Sequence, residues 1–183
     1  MIHILKHLVL LILVTVLMCF KVEGQCNTNT SICDNNSLAG PFSFAPASNN
    51  PSSCLDFLSG SGANDYAYII LYITQGGQLN LLVNGNNTSG FIDVAVFEIT
   101  GQTNPCASLS PNTELACNYA DFSNGCAQFG SVFNCNSIVS APNVNTGDVI
   151  MILVEDYNSI HSSFTLSLGN TAVVLKQVLQ MLQ

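Results

Sequence analysis

The side chains in this sequence that could do chemistry are cysteines, carboxylates and very few bases. Eight cysteines stand at Cys19, Cys26, Cys33, Cys54, Cys106, Cys117, Cys126 and Cys135. At this density, in an exported chain, they read as disulfides. Cys106 with Cys117 and Cys126 with Cys135 would each close a loop of about ten residues, worth roughly 2 to 3 kcal/mol in the chain-entropy picture. Cys33 with Cys54 is the third expected bond, which leaves Cys26 free, bonded between molecules, or exchanged with Cys33. Zinc is the competing chemistry, but the spacings are long, no Cys-x-x-Cys occurs, and export favours oxidation.

The carboxylates offer two chemistries. Asp65, Asp93, Glu155 and Asp156 fall at expected strand ends and turns, where backbone carbonyls could complete the oxygen shell of a calcium ion. No EF-hand spacing is present. The simpler expectation is that Asp65 and Asp156 make turn hydrogen bonds while Asp93 accepts bonds from nearby amides or a hydroxyl. Two suitably spaced acids also suffice for glycoside hydrolysis, and Asp65, Asp93, Glu98 and Asp156 are available. The chain has no tryptophan to form a sugar platform, and it is small for such an enzyme.

Acid–base and nucleophilic catalysis fare worse. Beyond the first residues the sole histidine is His161, which any Ser-His-Asp or Cys-His arrangement would have to use. No Gly-x-Ser-x-Gly motif accompanies it, so it is expected to be a solvated loop residue. The absence of arginine removes the usual clamp for carboxylates and phosphates. The chain is therefore read as non-catalytic and without a cofactor, calcium being the one metal its side chains would suit.

Recognition is the remaining class. Tyr66, Tyr68 and Tyr72 lie in the most apolar run and are expected in the core. Tyr119, Asp121 and Phe122, within the cross-linked loops of residues 106–135, form the candidate patch for a glycan or protein ligand. Asn29, Asn35, Asn86 and Asn87 each begin an Asn-x-Ser/Thr sequence, which signals glycosylation in a eukaryotic source and means little in a bacterial one.

The N-terminal stretch sets the compartment. Lys6 and His7 precede an apolar run, Leu8 to Phe20, followed by Val22-Glu23-Gly24, a pattern that reads as a secretory signal peptide cleaved after Gly24. The run is about 13 residues, short of the roughly 20 that span a bilayer, so no membrane insertion is expected after cleavage. Met18 before Cys19 and Gln25 before Cys26 fit a lipid-anchor site poorly. Removing residues 1–24 takes two of the three lysines and one of the eleven acids, leaving a net charge of about −9 with Lys176 as the single cation. Nucleic acid, heparin-like chains and phospholipid headgroups require cations to displace counterions, and are excluded as partners.

The elements that must position these residues are short and mostly β. Residues 25 to 63 form an irregular entry segment, rich in Asn, Ser, Pro, Gly and Cys, with one strand at 41–45. Tyr66 to Ile73 is β-branched and aromatic on both faces, as in a strand buried on two sides. Gln78 to Val83 alternates and is expected to pair back on it across Gln75-Gly76-Gly77. Asn84 to Gly90 is a turn cluster and Phe91 to Ile99 a third strand, in which Asp93 interrupts an apolar face. Residues 101–147 hold the short disulfide loops. Val149 to Val154 is a continuous apolar strand, and Phe164 to Leu168 an alternating one. The prediction is a single all-β domain over residues 25–168, an antiparallel, jelly-roll-like β-sandwich with disulfide-stapled loops. The tail, residues 169–183, carries Val174, Leu175, Val178, Leu179 and Leu182 at helical spacing.

Asp65-Tyr66-Ala67-Tyr68, Gln75 through Leu81, and Ile92-Asp93-Val94-Ala95-Val96-Phe97 resemble the pre-peptidase C-terminal family of sandwiches. Pro41-Phe42, Cys54-Leu55, the Pro105-Cys106 loop ending at Cys117, Ala141-Pro142-Asn143, and Gly147 through Asp156-Tyr157-Asn158 are similar to a module repeated in surface proteins and adhesins of Bacteroidetes. The likeness covers about residues 33–168. It implies an accessory, non-catalytic module of secreted or cell-surface proteins, working beside other domains of a surface assembly. Glu98-Ile99-Thr100 departs from the family's Trp-Gly-Pro type of turn.

Overall fold

The computed structural model describes residues 30–32, 40–46, 52–55, 65–120, 123–157 and 159–169, the strands at 30–32 and 45–46 by backbone alone. The chain is all-β. Its strands are β1 (Thr30–Ile32), β2 (Phe42–Ser43), β3 (Ala45–Pro46), β4 (Asp65–Tyr72), β5 (Gly77–Gln78), β6 (Leu81–Gly85), β7 (Phe91–Glu98), β8 (Glu114–Asn118), β9 (Cys126–Phe129), β10 (Ile138–Val139), β11 (Asn143–Val144), β12 (Val149–Tyr157) and β13 (Ser163–Leu168). One sheet runs β1-β4-β12-β7-β8, with β3 also on β4; the second runs β10-β9-β6-β13-β2; β11 and β5 form a small ribbon.

The two large sheets bury one shared core. Ile69, Val94 and Ile152 from the first meet Leu81, Phe129 and Leu166 from the second. Because side chains alternate along a strand, the opposite face of the first sheet carries Tyr66, Tyr68, Ala95, Phe97, Met151 and Leu153. That face is buried too, beneath Leu55 and Leu109, with Cys54, Cys106 and Cys117 packed against it. Double burial explains the unbroken apolar run of β12, where every residue from Ile150 to Asp156 is buried.

The expected antiparallel, all-β sandwich is what the structure has, and one expected strand pairing is corrected. Residues 78–83 do not form a hairpin with 66–73, because Leu79, Leu81 and Val83 enter the shared core only if β6 crosses to the second sheet, where it lies between β13 and β9. Besides the disulfide loops, the region 101–147 supplies strands: β8 forms an edge of the first sheet and β9 an inner strand of the second. Pairing is mainly antiparallel, yet β1 runs parallel to β4 and β10 parallel to β9.

The disulfide pairing is also corrected. Cys117 bonds to Cys54, 63 residues away, with Cα atoms 6.3 Å apart. The expected pairings of Cys106 with Cys117 and of Cys33 with Cys54 therefore do not form. Sequence proximity is overridden because β8 lies beside the 52–55 segment, where Glu114 accepts from the Ser53 backbone N–H at 2.9 Å and from the hydroxyls of Ser52 and Ser53. Cys126 bonds to Cys135, with Cα atoms 6.1 Å apart. Cys106 is disulfide-bonded, to a partner outside the described residues. The predicted signal peptide, Cys26, Cys33 and the tail from residue 170 on also lie outside them.

Two outcomes follow for stability. In the chain-entropy picture, removing Cys54–Cys117 should cost about 4 kcal/mol and removing Cys126–Cys135 about 2.5; urea unfolding of the paired Cys→Ala variants would reverse that order if loop length did not govern the cost. Burial pushes the Tyr68 hydroxyl above its usual 10.0. As pH rises, the unfolded chain releases that proton first, so the stability Tyr68 contributes is complete below about pH 10 and is lost on climbing through the folded value. Tyr68→Phe should flatten the alkaline fall in melting temperature.

Candidate functional site

The end of β12 places two adjacent carboxylates in the interior. Alternation sends Glu155 to the outer core and Asp156 to the core between the sheets. Both are fully buried, where a carboxylate needs a hydrogen-bonding partner. Glu155 lies opposite Asp93 of β7 and Tyr66 of β4, and the Tyr66 hydroxyl donates to its Oε1 at 3.0 Å. Asp93 is equally buried and accepts the Ala120 backbone N–H on Oδ1 at 2.6 Å.

Asp156 is answered by His161. The backbone N–H of His161 donates to Asp156 Oδ2 at 2.6 Å, and its ring Nδ1 lies 2.6 Å from Oδ1. Nε2 reaches the Asn87 carbonyl oxygen at 3.2 Å. His161 is thus buried, against the expectation of a solvated loop residue, because the adjoining turn folds back over the sandwich end. Room for the ring comes from glycine. A Cβ on Gly85 would lie 2.1 Å from the ring Cδ2, and one on Gly125, whose φ is +66°, would lie 2.0 Å from the Asn87 carbonyl oxygen. The segments around them are tied together: Gly85 N–H donates to the Gly125 carbonyl at 2.8 Å and Gly125 N–H to that of Gly90 at 2.9 Å.

The four acids considered for calcium do not converge. Asp93 and Glu155 share the outer face, while Asp65 and Asp156, partners across β4 and β12, share the other. Among the described residues no three His, Cys, Asp or Glu side chains are grouped to hold a metal ion. Glu98, the remaining acid weighed for hydrolysis, is exposed at the far end of β7. Of the candidate patch, Tyr119 is 40% exposed; Asp121 and Phe122 lie outside the described residues. Tyr119 is flanked by two buried anchors, Ala120 on Asp93 and Asn118, which enters a polar network absent from the sequence reading.

That network braces the loops. Asn118 Nδ2 donates to the carbonyls of Gln128 at 2.8 Å and Ser137 at 3.1 Å, and the Ser137 hydroxyl donates to Asn118 Oδ1 at 2.8 Å. Gln128 spans the loop from within, donating to the Gly130 carbonyl at 2.7 Å and accepting the Cys135 N–H at 3.0 Å. With the Cys126–Cys135 bond, this fixes residues 130–137 from below while Val132 and Ile138 stand 54% exposed above. Comparison with protein-family models, curated proteins and solved structures finds no match. Among the described residues no helix is long and apolar enough to cross a membrane.

His161→Ala should destabilise the fold by about 3 to 5 kcal/mol, since it strands a buried carboxylate. Gly85→Ala should cost about 1 to 3 kcal/mol by overpacking against the ring. The two should be strongly non-additive, because removing the ring opens the space that the new methyl needs. Additive losses in urea unfolding would mean that Gly85 is required for some other reason.

Proposed function

We propose that this chain is an exported, non-catalytic β-sandwich module with an adhesive or architectural role at a cell surface or in a secreted assembly. The observation that carries this reading is where the reactive side chains go. Asp93, Glu155, Asp156 and His161 are each turned inward and engaged by the fold's own strands and turns, so their chemistry is spent on positioning the chain. The disulfides belong to an oxidising compartment, and the sequence resemblance to modules of Bacteroidetes surface proteins points the same way.

A second reading, binding of a glycan or protein ligand through residues 106–135, is favoured by the braced loop. A disulfide and a satisfied polar network hold Val132 and the neighbouring Ile138 outward in a fixed geometry, which lowers the entropy lost when a partner docks. Tyr119, between two buried anchors, supplies the aromatic contact that such surfaces favour.

Immobilised protein should retain cells or polysaccharide-coated beads, and Val132→Ser, Ile138→Ser and Tyr119→Ala should weaken retention at least tenfold with little change in melting temperature. Retention unchanged in all three would remove the braced loop and Tyr119 as the binding surface. Hydrolysis of a glycan or ester substrate that is lost in Asp93→Asn or Glu98→Gln would overturn the non-catalytic reading.

A further inference from the structure

The turn between β6 and β7 contains two overlapping acceptor sequences, Asn86-Asn87-Thr88 and Asn87-Thr88-Ser89, and both asparagines are exposed. The structure treats their side chains differently. The Asn86 carboxamide is engaged on both sides: Nδ2 donates to the Ser162 hydroxyl at 2.8 Å, and Oδ1 accepts the Ser162 N–H at 3.1 Å. That contact helps fasten the β6–β7 turn to the β12–β13 turn.

Asn87 is held by its backbone instead. Its carbonyl oxygen faces His161 Nε2 at 3.2 Å. Its side-chain Oδ1 accepts both the N–H of Ser89 at 3.1 Å and the Ser89 hydroxyl at 3.0 Å. The hydroxyl two residues on, which an acceptor sequence requires, is therefore already on the carboxamide oxygen. Among the described residues Asn87 Nδ2 donates to nothing, and the side chain stands on an exposed turn.

We propose that Asn87, and not Asn86, is the attachment site of an N-linked glycan. The donor class is a polyprenyl-pyrophosphate-linked oligosaccharide. A bond forms between Asn87 Nδ2 and the anomeric carbon as the anomeric C–O bond breaks; the polyprenyl pyrophosphate leaves with that electron pair and the amide nitrogen gives up one proton. The inference rests on export into a lumen that holds this donor and on the geometry of this turn, and it draws nothing from the adhesive role or from the bacterial resemblance behind it.

The two sequences can be separated by single substitutions. Thr88→Ala destroys the acceptor sequence at Asn86 and leaves that at Asn87; Ser89→Ala does the reverse, and Ser89→Thr keeps both. The full chain is routed into the lumen of a eukaryotic secretory pathway and recovered folded and disulfide-bonded. It is then weighed before and after peptide N-glycosidase in water enriched in the heavy oxygen isotope. The expected result is a carbohydrate mass excess with the isotope label at residue 87, kept in Thr88→Ala and Ser89→Thr and lost from this turn in Ser89→Ala. An unmodified turn, a label at residue 86, or loss in Thr88→Ala with retention in Ser89→Ala would each overturn the proposal.

Discussion

Two neighbouring carboxylates at the end of a strand buried on both faces impose the constraint around which this structure is arranged. Glu155 and Asp156 of β12 must point to opposite sides of the first sheet, and neither side is water. Each needs a partner delivered from elsewhere in the chain. The Tyr66 hydroxyl on β4 serves one, and His161 on the β12–β13 turn serves the other. Satisfying Asp156 then dictates the packing of the sandwich end, since the imidazole fits there only because Gly85 and Gly125 leave space.

The same logic governs the outer face of the first sheet. A sheet buried on one side alone would leave Tyr68, Phe97 and Met151 in solvent; here the 52–55 segment and the turn of 3-10 helix at Cys106–Ser108 lie over them. These covering pieces have little regular structure to hold them down. Glu114 hydrogen-bonds the first of them to β8, and the Cys54–Cys117 disulfide fixes it covalently. The second cysteine pair works differently, stiffening a loop already held by Gln128 and Asn118. One bond secures a lid over a core, and the other shapes a surface.

These devices leave two outward-facing regions with different characters. Around residues 119–138 the fold presents apolar and aromatic side chains on a rigid base, suited to contact with another surface. Around residues 86–89, at the β6–β7 turn, it presents polar side chains on a turn pinned to its neighbours by backbone hydrogen bonds. Rigidity is common to both, drawn from a buried polar network and a disulfide in the first and from backbone hydrogen bonds in the second.

Much of the architecture was legible in the sequence because local pattern and burial agree there. The runs at 66–73, 91–99, 149–154 and 164–168 are β-branched or alternating, and each is a strand in the structure. The all-β class and an oxidising environment followed from those runs and the cysteines. Contacts between segments far apart were not legible. Nothing near Cys117 names Cys54 as its partner, because that choice depends on which segment covers the outer core. Nothing near His161 reveals that it is buried between Asp156 and the distant Gly85 and Gly125, and Asn118, Gln128 and Ser137 look like ordinary polar loop residues until β8 and β9 are placed. The sequence by itself determined the long strands and the all-β class, since both follow from side-chain types read along the chain. Only the tertiary structure decided the cysteine partners, the fate of each buried acid and the hydrogen-bond partners of Asn86 and Asn87, because hydrogen-bond satisfaction is a property of segments brought together from across the chain.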